Sequence, residues 1–227
     1  MHNMNIVTVS HLNKRFGEHA VIRNLSFSLE HGQRLAIFAP SGSGKTTLLQ
    51  ILAQLKQPDS GNIRVETVSP PVVIFQEPRL FPHLTVEENI FLPFQVQKKA
   101  LSEQNQKDYA AWLEVCELGS FRQHFPHELS GGMRQKVALV RGFLQKPALA
   151  LLDEPFQSIG QTAKKGIIQH LLAFHPGLSL LLVTHDPEEV RLLANAALYF
   201  QNNHLGQYRL VQTIPTNFAP HGVETSL

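Results

Sequence analysis

Cysteine is nearly absent from this sequence. Cys116 stands alone in 227 residues, so no disulfide can close within the chain and nothing asks for an oxidising compartment. An excess of charge is missing too: Lys plus Arg number 20 against 18 for Asp plus Glu. The basic residues are scattered, with Lys98-Lys99 and Lys164-Lys165 the only adjacent lysine pairs, which leaves no stripe for nucleic acid. No uninterrupted apolar run approaches the roughly 20 residues that span a bilayer. The opening MHNMNIVTVS lacks the charged flank and apolar block of a signal peptide. These absences predict a cytoplasmic chain whose connection to a membrane comes through a partner. The length suits one large domain, with room for a small subdomain.

What is present is an alternation of apolar runs and helical patterns, the mark of an α/β protein with a largely parallel central sheet. RLAIF, PVVIF, ALALLD and LSLLLVT read as buried core strands. The early NIVTVSHLNKRF and VIRNLSFSL alternate more evenly and predict a peripheral antiparallel layer. PDSG, residues 58–61, reads as a turn. Between residues 77 and 146 no strong strand signal occurs, while TVEENIFLPFQVQ and SEQNQKDYAAWLEVCEL read as helices that start at Thr85 and Ser102. This predicts a mostly helical insertion between two strands. From Pro215 on the chain is polar and irregular, and fraying is expected there.

Two stretches offer backbone amides to an anion. APSGSGKTT is a glycine-rich turn between a strand and a helix. Its amides from Ser41 to Lys45 can wrap phosphates, Lys45 can reach the β and γ groups, and Thr46 can ligand Mg²⁺. ELSGGMRQKVALVRGF opens a second helix, with Ser130 as N-cap and Gly131 and Gly132 leaving its first amides bare. Three further points gather near strand ends. ALALLDEP ends a buried strand in Asp153, placed to hold a Mg²⁺ shell, and Glu154, able to polarise a water. His185 follows LSLLLVT on the same sheet edge, with Asp186 capping the next helix and Pro187 in its first position. Gln76 ends PVVIF, where an amide can touch both a cation and an attacking water. The other eleven histidines show no metal spacing and read as surface residues.

In order and spacing these residues resemble the ATP-binding cassette (ABC) family of transporter ATPases over nearly the whole chain. Ala39, Pro40, Ser41, Gly42, Ser43, Gly44, Lys45, Thr46 and Thr47 are similar to its Walker A loop. Gln76 resembles its Q-loop residue, and Leu129, Ser130, Gly131, Gly132 and Met133 its signature. Leu149 to Glu154 is similar to the Walker B strand, His185 to the switch histidine, and Phe16 to an aromatic residue that stacks on adenine.

The resemblance implies a P-loop NTPase fold over residues 1–227: a RecA-like core with its antiparallel layer at about 1–77 and 146–227, and a helical subdomain at about 78–145. It implies a head-to-tail dimer in which each signature covers the γ-phosphate of ATP held by the other copy. Glu154, His185 and Gln76 take the catalytic roles, and Thr46, Gln76 and Asp153 the Mg²⁺ roles. The implied partners are a second ATPase subunit, a membrane permease and, indirectly, an extracytoplasmic solute-binding protein. LSGGMRQ is similar to importers of nitrate, sulfonate and taurine type. An ATP-gated switch with weak hydrolysis and a non-transport ABC protein are the alternatives. Two positions depart from the family pattern: Gly160 stands where an aspartate is usual in the loop that crosses to the opposite subunit, and Met133 replaces the commoner glutamine.

Overall fold

The computed structural model describes residues 5–200, 204–211 and 214. The tail expected to fray, from Pro215 on, lies outside the described residues. Contacts divide the described residues into two compact units, one of 5–73 with 148–154 and the described residues from 177 on, the other of 74–147 with 155–176.

The first unit holds two sheets. Strands β1 (Asn5–Phe16) and β2 (His19–Glu30) pair antiparallel, and β4 (Ser60–Val65) adds to the other side of β1. This is the expected peripheral layer. Its pairing shifts register around residues 9–12, where His11 takes a φ of 52°. β4 starts inside the segment read as a turn, because Asp59 already bonds back to β1, its amide donating to the Asn13 carbonyl at 3.0 Å and its carboxylate accepting from the Arg15 amide at 2.7 Å.

The second sheet runs β5-β6-β7-β3-β8-β9, with β3 (Arg34–Phe38), β5 (Val72–Ile74), β6 (Leu149–Asp153), β7 (Ser179–Val183), β8 (Ala196–Tyr199) and β9 (Arg209–Val211). β3 pairs parallel with both β7 and β8, and β6 pairs parallel with β7. Every residue of β6 and β7 is buried, which is why these strands read as continuous apolar runs and not as alternation. Helix α1 (Lys45–Leu52) follows β3 and buries Leu48, Leu49, Ile51 and Leu52 in the same core as Leu35, Ile37, Leu151 and Leu181. Helix α6 (Pro187–Leu193) follows β7.

The second unit carries α2 (Val86–Val96), α3 (Glu103–Val115), α4 (Gly131–Phe143) and α5 (Gln161–Phe174). Thr85 and Ser102 cap α2 and α3 in reciprocal boxes with Glu88 and Asn105, satisfying amides that a helix start leaves open. The core centres on Trp112, fully buried, stacked on Phe143 with ring centroids 6.2 Å apart. His170 corrects the reading of that residue as surface: its ring stands edge-on to Trp112 at 4.5 Å, and its Nε2 is buried without a hydrogen-bond partner. Helical spacing sets it beside the buried Ile167 and Leu171. No helix among the described residues is long and apolar enough to cross a membrane.

Candidate active site

The loop between β3 and α1 closes tightly. Gly44 has a φ of 97°, and a Cβ there would stand 2.7 Å from the Val21 carbonyl oxygen, so a side chain at that position would both strain the backbone and collide. Ala39 is buried and is not among the residues of positive φ; its methyl therefore costs the loop no backbone strain. Lys45 is largely buried, and its Nζ donates to the carbonyls of Ala39 and Pro40, each at 2.8 Å. Burial holds its pKa below the ordinary lysine value, against the pull of the Glu154 and Asp153 carboxylates. The Oγ of Ser43 is buried with no hydrogen-bond partner.

Across from the loop, Asp153 ends β6 and takes a hydrogen bond from the Thr46 side chain. Its carboxyl is pushed above the usual range, first by burial and then by neighbouring Glu154, while Thr46 and Lys45 act the other way. Glu154 adopts a φ of 48°, and its amide donates to the Val183 carbonyl at 2.9 Å. Strained backbone of this kind concentrates at functional positions. Its Oε2 lies 2.7 Å from Nδ1 of His185. His185 is presented by a short linkage: Thr184 donates to the buried Glu189 at 2.7 Å and accepts from the Asp186 amide at 3.0 Å, while Asp186 caps α6 with Pro187 in its first turn. Lys45, Thr46, Asp153, Glu154 and His185, picked out along the sequence, thus belong to one unit and are linked to one another by contact or charge. Phe16 is half exposed, with Lys56 Nζ 4.7 Å from its ring centroid.

The remaining site residues lie in the second unit. Gln76 is exposed, and its Nε2 donates to Gln157 Oε1 at 2.7 Å. Ser130 caps α4 as expected, accepting from the Met133 amide at 3.2 Å. The two signature glycines differ: a Cβ on Gly131 would meet only the Arg134 side chain, at 4.0 Å, whereas one on Gly132 would sit 2.5 Å from the Ser158 carbonyl oxygen. Sequence reasoning missed Gln135, which is buried on α4 and donates to the Phe75 carbonyl at 3.3 Å. It also missed Asn89. That residue is fully buried; it accepts from the Phe81 amide and donates to the carbonyls of Phe81, Leu84 and Thr85, all within 3.1 Å, and so knots the loop before α2. An asparagine on the apolar face of VEENIF was the available signal, since a buried amide must bond to something.

The first unit's geometry fits a nucleoside triphosphate. A desolvated ammonium bonded to loop carbonyls, a buried hydroxyl without a partner among the described residues and a loop that excludes a Cβ are features of an anion cradle at a helix N-terminus. The hydroxyl and carboxylate oxygens of Thr46 and Asp153 are hard donors of the kind Mg²⁺ takes.

The chain belongs to the ABC transporter family, whose pattern it matches over residues 22–157. Membership makes it an ATP-binding cassette with ATPase chemistry. It is 34% identical over 225 residues to a probable sulfate/thiosulfate import ATP-binding protein of Chlorella vulgaris, covering 93% of this chain and 95% of that one. It is also 34% identical to a spermidine/putrescine import ATP-binding protein of Nitrosomonas eutropha, over 84% of this chain but only 55% of that protein's length. A dimeric bacterial ABC transporter cassette superposes with a TM-score of 0.79 at 26% identity, covering 92% of this chain and 99% of that one. The same cassette in a dimeric post-hydrolysis state with ADP and Pi gives a TM-score of 0.78.

Proposed function

We propose that this chain is the ATP-hydrolysing subunit of an importer, acting as a homodimer on the inner face of the cell membrane beneath a separate permease. The cargo is a small solute supplied by an extracytoplasmic binding protein. Its relatives include import proteins for sulfate/thiosulfate and for spermidine/putrescine; a nitrate, sulfonate or taurine cargo rests on LSGGMRQ alone.

In the reaction, Lys45 exchanges the Ala39 and Pro40 carbonyls for the β- and γ-phosphates, and Phe16 stacks on the base. Thr46, Asp153 and Gln76 would hold Mg²⁺, Asp153 through water or directly, and the bound cation would supply charge neutralisation on the phosphates. Glu154 takes a proton as water attacks the γ-phosphorus, the new P–O bond forms, the bridging bond breaks and ADP leaves. Because His185 Nδ1 occupies one oxygen of Glu154 in this state, the carboxylate must offer its other oxygen or release His185 before it can receive that proton. Ser130, Gly131 and Gly132 cap the γ-phosphate in the second copy.

The observation that carries the reading is the joining of Glu154 to His185 in the unit that also holds Lys45 and the Thr46–Asp153 pair. Glu154→Gln should keep ATP binding, lower turnover by about 100-fold or more, and elute with MgATP at twice the monomer mass in size-exclusion chromatography. Turnover at the parent rate would place the base elsewhere.

A further inference from the structure

Glu189 and Thr184 take no part in the reaction as written above, yet both are buried beside it. Glu189 is 3% exposed and Thr184 fully enclosed, and two hydrogen bonds run through the Thr184 hydroxyl. The Asp186 amide donates to Thr184 Oγ1 at 3.0 Å, and Thr184 Oγ1 donates to Glu189 Oε2 at 2.7 Å. Chemistry fixes the sense of both. A backbone N–H can only donate, so the hydroxyl oxygen accepts there; its single hydrogen is left for the carboxylate, which accepts.

These bonds close the step from residue 184 to residue 186, and His185 is the residue between. Its side chain is 60% exposed, so packing leaves most of the imidazole free and its place follows from its backbone. On the amino side that backbone leaves β7, where Val183 pairs with Asp153 of β6 and its carbonyl accepts from the Glu154 amide at 2.9 Å. Strand pairing therefore sets the starting points of Glu154 and His185 against each other. On the carboxyl side the chain enters α6, which is anchored by the fully buried Val190 and Leu193 and sends the Glu189 carboxylate back to Thr184. With the turn held at both ends, His185 Nδ1 meets Glu154 Oε2 at 2.7 Å. All of these residues lie in the first unit.

We infer that Glu189 is a positioning residue for ATP hydrolysis: acting through the Thr184 hydroxyl, it holds the turn that sets His185 against Glu154. This role rests on the reading of Glu154 and His185 as the catalytic pair. What the turn needs is a hydroxyl at 184 and an acceptor at 189. Glu189→Gln keeps an acceptor in the same shape, and Glu189→Met keeps the bulk without it. Thr184→Ser keeps the hydroxyl, and Thr184→Val keeps the shape without it.

Turnover of the full-length chain is followed against ATP concentration, ATP binding by equilibrium dialysis and folding by thermal unfolding, each in the parent and in a His185→Ala background. Glu189→Met and Thr184→Val should each lower kcat by about 2- to 10-fold, the range for one lost hydrogen bond, while the Kd for ATP stays at the parent value. Glu189→Gln and Thr184→Ser should recover most of the loss. Since the effect passes through the imidazole, Glu189→Met should lower kcat no further once His185 is alanine; a residue that merely stabilised α6 would cost the same factor in both backgrounds. Should Glu189→Met fail to fold, Thr184→Val carries the same comparison with Thr184→Ser as its control. If His185→Ala lowers kcat and the variants at 184 and 189 do not, or if their cost is the same with and without His185, the inference is wrong and the reading of the pair stands. If His185→Ala itself leaves kcat at the parent value, both are wrong.

Discussion

At the scale of single residues, Gly131 and Gly132 look interchangeable in LSGGM but face different constraints. Gly132 lies against the Ser158 carbonyl, and Gly131 does not. Gly132→Ala should push the start of α4 away from that turn and cost about 1 to 3 kcal/mol in denaturant unfolding, whereas Gly131→Ala should leave stability within about 0.5 kcal/mol. Equal losses would mean that the contact at Ser158 yields freely. The sequence could show that both amides are bare; it could not show which glycine is there to admit a neighbouring backbone. Lys45, Asp153 and His185 were legible because each stands at a fixed offset from a buried strand. Gln157 and Gln135 were not, because an exposed or helical glutamine carries no local signature and its partner lies far along the chain.

At the scale of elements, α5 begins at Gly160 with φ −61° and ψ 149°, no side-chain cap, and open space where a Cβ would go. Gly160→Asp therefore meets no strain. It should add an N-cap worth a few tenths of a kcal/mol, and it should raise the Hill coefficient for ATP in a rate-against-concentration series if the aspartate also couples two sites. Unchanged rate and cooperativity would make Gly160 a neutral replacement. The packing of α3 against α5 gives a pH dependence of known sign. Burial depresses the pKa of His170 below its ordinary 6.5, with the Asp108 carboxylate pulling the other way. Below about pH 6.5 the unfolded chain binds more protons than the folded one, so stability falls as pH falls through that range. Trp112 is the sole tryptophan, and its emission reports unfolding directly beside His170. His170→Phe should flatten the acid slope of the unfolding free energy; an unchanged slope would assign it to other groups. The buried strands β3, β6 and β7 were legible as apolar runs, and α2 and α3 from their caps. β4 was not, since four of its six residues are exposed and an edge strand needs no apolar pattern.

At the scale of the whole molecule, the loop before α2 presents Phe81 at 46% exposure while Asn89 holds its backbone from within. A large apolar ring on a braced loop suits a partner surface. Phe81→Asp should abolish co-purification with the permease and leave ATP affinity unchanged; full co-purification would move the docking site elsewhere. The first unit also carries a consequence for the energetics of the chain. Folding itself takes the Lys45 ammonium largely out of water, a cost only partly offset by two carbonyl oxygens and by the charges of Glu154 and Asp153. Part of the desolvation that an anion at Lys45 would otherwise require is therefore accomplished in folding. Burial of that one ammonium thus counts against the stability of the fold and in favour of nucleotide affinity.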